Sequence, residues 1–302
     1  MEKIVKHKNL TWHHFDDNSE ATLVELQKRF KFHPLDYEDI LAGPQQPKVD
    51  FYDNYLFGIF HFPEYDEEAK KIQVFELDVF LSKDFLVTVA KGQSNGLEEL
   101  VKKMQAQEDE RLGQMEQGAA FLLYKIIDTL TDSCWPVVRK ISGQISDIEE
   151  DIYGETMHKS TVWNIALVKR NLIRMKRIIN PQTIAIAVLA KADKPYLKQD
   201  LSIYFDDIND TLSRIQSISE GHMDVAKSLH NVSESLISKK TNEIITALTV
   251  ISVSLLPLTL IASFYGMNID LPWQNQPNFI YVLFGLIAVV EALAIFYFMR
   301  KD

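Results

Sequence analysis

Two apolar runs toward the C-terminal end constrain this chain more than anything else in it. Ile244 to Tyr265 has no charged side chain, and Phe279 to Met299 has one, Glu291. A bilayer core of about 30 Å needs about 20 helical residues to cross it. Backbone polar groups find no water there, so each run has to be helical. The pair predicts a membrane hairpin with spans 244–265 and 279–299 and a loop 266–278 between them. The first span ends in Tyr265-Gly266-Met267-Asn268, where the helix leaves the lipid.

Flanking charge sets the orientation. Lys239 and Lys240 precede the first span, and Arg300 and Lys301 follow the second in the tail 300–302. The loop has no Lys or Arg and one acid, Asp270. Basic residues collect on the cytoplasmic side. Both termini are therefore expected in the cytoplasm, with Asp270 at an external mouth where it concentrates cations. No apolar run opens the chain, so a cleaved signal peptide is not expected.

Hydrophobic residues make up 46% of the chain, ordinary for a soluble protein, so most of what precedes the hairpin belongs in water. One cysteine, Cys134, excludes an internal disulfide and fits a reducing compartment. The net charge of −10 argues against nucleic acid as a partner.

The expected class is α+β with a helical membrane part. Residues 1–95 read as an α/β domain. Thr11 to Phe15, Tyr55 to Phe62, Val74 to Leu81 and Phe85 to Val89 have strand character. Ser19 to Phe30 has Leu23, Leu26 and Phe30 at helical spacing, with Ser19 as N-cap. Glu64 to Glu68 reads as an acidic surface loop. Residues 96–200 read as a helical hairpin, 97–153 against 159–191, broken near Tyr153-Gly154. Antiparallel packing would set Asp147, Glu149, Glu150 and Asp151 near Lys169, Arg170, Arg174, Lys176 and Arg177. Solvated faces explain the same charges equally well.

Residues 201–243 read as a coiled stalk. Leu201, Ile208, Ile215, His222, Leu229 and Leu236 recur every seven residues. Tyr204, Thr211, Ile218, Val225 and Val232 repeat at an offset of three. That is an a/d seam, and it implies helix partners. The stalk then enters the first span without a break, so movement of the stalk moves the span.

Within the span, Asn242, Ile245, Thr249, Ser252, Leu256, Thr259 and Ser263 share a stripe that carries most of the hydroxyls. The opposite side is apolar. Small hydroxylated residues also serve simple helix packing. The sharper reading is a water-facing pore lining, constricted at Ile245 and Leu256. Two spans cannot enclose an ion path, so that reading demands a homo-oligomer.

Tyr265-Gly266-Met267-Asn268 between two C-terminal spans closely resembles the signature of the CorA family of divalent-cation transporters. The match runs without a gap from Thr241-Asn242-Glu243 through Pro257-Leu258-Thr259 to Asn268, and the likeness covers essentially the whole chain. The resemblance implies a funnel-shaped homopentamer in the plasma membrane, passively moving magnesium, with cobalt as a second candidate ion. It aligns Asn242 with an inner asparagine and Leu248 with a gate leucine. Leu256 and Ile245 stand where the family has gate methionines. Helical spacing places Thr249, and the resemblance Leu248, nearest the axis; both stay open. Asp207 falls on a stalk aspartate whose family counterpart binds regulatory magnesium, with Asp206 and Asp210 beside it. Glu64, Asp66 and Asp78 are candidate partners from the N-terminal domain.

Magnesium sheds its water reluctantly. A ring of Asn268 carboxamides with the Gly266 carbonyl offers neutral oxygens to a hydrated ion. Glu291 in the second span is expected to be hydrogen-bonded to Ser252 or Ser254, or else to act in proton coupling. His13 and His14 should point to opposite faces of a strand and make no metal site, and His222 is a polar spacer in the seam. No nucleotide loop of the G-x-x-x-x-G-K-[ST] type and no catalytic constellation is found, so neither enzyme activity nor a cofactor is expected. Two rivals remain. ZntB-like zinc transporters usually carry Val where this chain has Met267. A non-conducting two-span tether would need neither the polar stripe nor Asn268.

Overall fold

The computed structural model describes residues 2–42, 45–154, 160–197, 201–268 and 277–301. Asp270 lies outside them. Contacts divide the chain into two units, Met1–His230 and Asn231–Asp302.

The first unit opens with β1 (Glu2–His7) and β2 (Leu10–Phe15), then α1 (Glu20–Arg29) and α2 (Pro34–Leu41). Four strands follow: β3 (Lys48–Phe51), β4 (Tyr55–Asp66), β5 (Lys71–Ser82) and β6 (Phe85–Lys91). They form one sheet in the order β1-β2-β6-β5-β4-β3, antiparallel except for β2 against β6. Ser19 caps α1 as expected, its hydroxyl accepting the Thr22 N–H.

β4 is buried continuously from Leu56 to Pro63, as a strand covered on both faces must be. One face packs Phe57, Ile59, Phe80, Val87 and Val89 against Leu23, Leu26 and Ile40 of α1 and α2. Phe32 stacks on Phe80 there, ring centroids 3.8 Å apart. Leu56, Phe60 and Phe62 alternate onto the other face, where helices of the following segment lie.

Those helices are α3 (Asn95–Ala106), α4 (Glu108–Met115), α5 (Ala119–Asp132), α6 (Cys134–Tyr153) and α7 (Thr161–Ala190). The long helix expected over 97–153 is therefore four helices. Gly118 at φ 102° starts α5, a backbone state that favours glycine. Glu64, Tyr65 and Asp66, expected in a loop, belong to β4, which pairs with β5 up to Asp66↔Lys71.

α7 closes unmet backbone groups of the β4–β5 hairpin. Asn171 Oδ1 accepts the Ile72 N–H at 3.2 Å, and Gln182 Oε1 accepts the His61 N–H at 2.9 Å. Both side chains are fully buried, where an unpartnered N–H is costly. The expected facing of acidic and basic blocks is not what these residues do. Arg174 donates to the Ile72 carbonyl, Arg170 to the Lys70 carbonyl, and Lys176 pairs with Glu220 at 3.1 Å.

α8 (Ser202–Tyr265) is one helix of 64 residues, about 95 Å at 1.5 Å per residue. Within the first unit its buried positions are Phe205, Ile208, Leu212, Ile215, Ser219, Ala226 and Leu229. The first heptad row is packed at Leu201, Ile208, Ile215 and Leu229, half-buried at His222 and exposed at Leu236, and its buried companion row is 205/212/219/226, offset by four. The expected companion row keeps Tyr204 and Val225 exposed and Thr211 and Ile218 half-buried. The correction has a physical cause. α8 packs on its own chain through a broad face rather than a narrow coiled-coil seam. Tyr204 meets Tyr124 of α5, Arg214 lies over Trp135 of α6, and His222 Nε2 is 3.2 Å from Ser142 Oγ.

In the second unit α8 continues to Tyr265, and α9 (Pro277–Lys301) follows. One stretch of α8 is long and apolar enough to cross a membrane, and Tyr281–Leu293 is a shorter apolar stretch.

Candidate functional site: the exposed stripe of α8 and its acidic flank

Every residue of the expected stripe, Asn242, Ile245, Thr249, Ser252, Leu256, Thr259 and Ser263, is exposed in the protomer. Leu248 is exposed as well, so exposure does not choose between it and Thr249. The half-buried positions, Val250, Ser254, Pro257, Leu258 and Ile261, lie on the opposite side of the helix. α9 has a matching half-buried stripe at Leu283, Phe284, Ile287 and Glu291. The hydroxylated side of α8 therefore points away from its packed side.

The hydroxyls are not free donors. Thr249 Oγ1 donates to the Ile245 carbonyl at 2.8 Å, and Thr259 Oγ1 to the Leu255 carbonyl at 2.7 Å. Each keeps its lone pairs facing outward, which suits a cation or its water. Pro257 has no N–H for the Val253 carbonyl four residues back.

α8 ends at Tyr265. Gly266 N–H reaches the Ala262 carbonyl at 2.9 Å, and Met267 N–H the Phe264 carbonyl at 3.3 Å. The glycine relieves crowding and does not serve a left-handed turn. A Cβ at Gly266 would sit 3.0 Å from the Ala262 oxygen. Asn268 follows, exposed.

Of the two expected partners of Glu291, Ser252 is exposed and Ser254 bonds within its own helix. Ser254 Oγ donates to its own helix at the Val250 carbonyl, 2.7 Å away, and Glu291 Oε1 has no hydrogen-bond partner among the described residues.

The acids Asp206, Asp207 and Asp210 are all exposed on α8. Among the described residues no three acidic, histidine or cysteine side chains gather tightly enough to hold a metal ion. Sequence reasoning missed Asp128 and Asp132, which α5 brings to the same flank. Burial raises the Asp128 pKa, and the charges of Asp132 and Asp207 add to the rise. Tyr124 is pushed up to about 12 by burial and by Asp128 and Asp207. No helix-periodic signal in α5 distinguished these acids from a solvated face.

Of the three N-terminal candidates, Asp78 is excluded from any contact with another copy, since it is completely buried in β5. Lys91 Nζ approaches Asp78 Oδ2 to 3.0 Å, but Glu76 and His61 share that network. Burial pushes Asp78 up to about 7, while hydrogen bonds from His61 and Lys91 lower Glu76 against its own burial. One ammonium serves two carboxylates, and Glu76 holds the charge. Glu64 is half-buried with a raised pKa from burial, and Asp66 caps the turn by accepting the Ala69 N–H.

The histidines behave as expected. His13 Nδ1 bonds Glu2 on one face, and His14 Nδ1 bonds Thr88 on the other. Burial lowers His14 to about 4, so it is neutral at ordinary pH.

Residues 7–301 match the family model for the CorA-like Mg2+ transporter protein. The chain belongs to that family. It is 30% identical to the cobalt/magnesium transport protein CorA of Thermotoga maritima, over 90% of this chain and 77% of that one. It is 28% identical to the putative metal ion transporter YfjQ of Bacillus subtilis, over 98% of this chain and 91% of that one. The solved CorA magnesium transporter of Methanocaldococcus jannaschii shares the fold, with a TM-score of 0.83 at 19% identity, over 98% of this chain and 92% of that one. The family is one of membrane transporters and not a family of enzymes.

Proposed function

We propose that the protein is a channel-like homopentamer that admits magnesium, and with it cobalt, down the membrane potential. One observation carries the reading. The exposed hydroxylated side of α8 lies opposite its packed side and ends at Asn268. Five such sides meeting on an axis make a lined path, and a lone tether has no use for them.

The path runs from the Tyr265-Gly266-Met267-Asn268 mouth past Ser263, Thr259, Leu256, Ser252, Thr249, Leu248 and Ile245 to Asn242. Asn268 presents neutral oxygens to a hydrated ion. A carboxylate ring would hold it too tightly for release. Leu256, Leu248 and Ile245 make the apolar gate. Asp270 gathers cations outside, α9 is the peripheral second span, and both termini lie in the cytoplasm. The driving force is about 2.3 kcal/mol per charge per 100 mV, doubled for a divalent ion.

Cytosolic magnesium closes the gate through Asp207, aided by Asp206 and Asp210. Asp128 and Asp132 on the same flank strengthen this part of the reading, because clustered carboxylates gain most when a cation arrives. The remaining ligands come from an adjacent copy, Glu64 or Asp66 among them.

Flux into liposomes containing the purified full chain tests this. Magnesium entry that falls as internal magnesium rises is expected. No divalent entry would leave the tether reading standing. Zinc entry without magnesium entry would move the protein to the zinc-transport reading, which has a distant relative in the zinc transport protein ZntB of Yersinia pseudotuberculosis at 20% identity.

A further inference from the structure

The basic side chains of α7 take no part in the path described above. Lys169, Arg170, Arg174 and Arg177 border a cavity of about 500 Å³ with Ile165 and Ile173. Arg174, Lys176 and Arg177 border a second cavity of about 1000 Å³. Ile173, Arg174 and Arg177 line both, so the two adjoin along α7 as parts of one basic face. No carboxylate occurs among the described residues lining either part. In a chain of net charge −10 this is a marked local reversal.

The cations are held in place. Arg174 Nη1 donates to the Ile72 carbonyl at 2.9 Å, and Arg170 Nη2 to the Lys70 carbonyl at 3.4 Å. Each guanidinium is anchored through one donor and keeps the rest of its fork. Lys176 pairs with Glu220, but both are exposed, and such a pair is weak. The larger cavity differs at its far end. Val74, Ile178, Pro181 and Met223 give apolar walls, and Gln73 and Asn180 add amides. Asn180 Oδ1 is buried and has no hydrogen-bond partner among the described residues. An unused acceptor beside apolar walls fits a flat ring with N–H groups.

The cleft thus wants a multiply charged anion at one end and a polar ring at the other. Guanidinium forks match phosphate oxygens pairwise. The larger cavity, about 1000 Å³, lies at the upper end of the range of small-molecule sites. We propose that this cleft binds a nucleoside polyphosphate, with the phosphates against Lys169, Arg174 and Arg177 and the base beside Asn180. The assignment stands independently of the transport reading.

The test uses the full-length protein in detergent, titrated calorimetrically with ATP in chelator and again with magnesium. Saturable binding is expected, stronger for ATP than for tripolyphosphate. Lys169→Gln with Arg177→Gln should weaken it at least about tenfold. Neither side chain makes a described hydrogen bond, so the fold should survive, and retained melting temperature checks that. Asn180→Ala should weaken ATP but leave tripolyphosphate unchanged. Equal binding of ATP and tripolyphosphate would remove the nucleoside from the proposal. Binding to phosphatidylglycerol vesicles without binding to ATP would assign the cations to a lipid surface instead. If the double variant dissociates the oligomer and ATP never bound, the face is a contact between copies and the proposal is wrong.

Discussion

The ring of Tyr124 on α5 lies 4.8 Å from that of Tyr204 on α8, centroid to centroid. This contact fixes the start of the long helix against α5. It also brings Asp207 close enough to Asp128 to disfavour its charge. A flank under such like-charge strain is relieved when a divalent ion arrives. Asp207→Ala and Asp128→Asn should each raise the internal magnesium needed to halve flux, by several-fold. Unchanged inhibition in both variants would remove the flank from regulation. The sign of the proton coupling follows too. Asp207→Asn should lower the Asp128 pKa, because a repelling charge is gone.

The buried network in the sheet predicts a pH effect on stability. Asp78 has a folded pKa of about 7 against an ordinary value of 3.8. The native state therefore binds the extra proton between these values, and stability falls as pH rises through that window. Above about 7 the loss is complete, and it amounts to a few kcal/mol. Asp78→Asn should flatten this dependence. Its melting temperature should exceed that of the natural chain at pH 8 and approach it near pH 4. Parallel melting curves across pH would contradict the assignment.

Much of this was legible from sequence, and the failures have physical causes. Strands β2, β4, β5 and β6 announced themselves by aromatic and β-branched runs, and Ser19 by its position before an amphipathic repeat. The exposed hydroxylated side of α8 was legible because hydroxyls are conspicuous in an apolar run. Glu64 to Asp66 misled because acidic residues near a hairpin end are as soluble in a strand as in a loop. The four helices of 95–153 merged in the reading because only Gly118, before α5, and Pro136, in the first turn of α6, mark their breaks. Asn171 and Gln182 gave no signal, since their role depends on backbone N–H groups far away in sequence. The second heptad row failed because a 3.6-residue helix packed on its own chain buries a wider face than a seam.

The core face of the sheet offers a test of packing. Phe80 is fully buried and stacked on Phe32, with Phe57 tilted against it at 4.8 Å. Phe80→Ala removes both partners and leaves a cavity. A loss of about 3–5 kcal/mol is expected in denaturant unfolding of the full chain. Phe80→Leu should cost clearly less. Equal losses would mean that the ring contacts add nothing.

The stripe itself makes a graded prediction. Thr249 and Thr259 already give their protons to carbonyls of their own helix. A passing hydrated ion can use only their lone pairs. Replacing either by Val removes one weak acceptor and leaves the shape intact. Flux should fall by less than about tenfold, since a single neutral hydrogen bond is worth about 0.5–1.5 kcal/mol. Asn268 has no described partner of its own and offers a whole carboxamide. Asn268→Leu removes that carboxamide from the mouth and should abolish magnesium entry. Asn268→Asp should instead retain the ion, giving higher apparent affinity with slower turnover. If Thr259→Val were as damaging as Asn268→Leu, ion recognition would lie in the middle of the helix and not at its end.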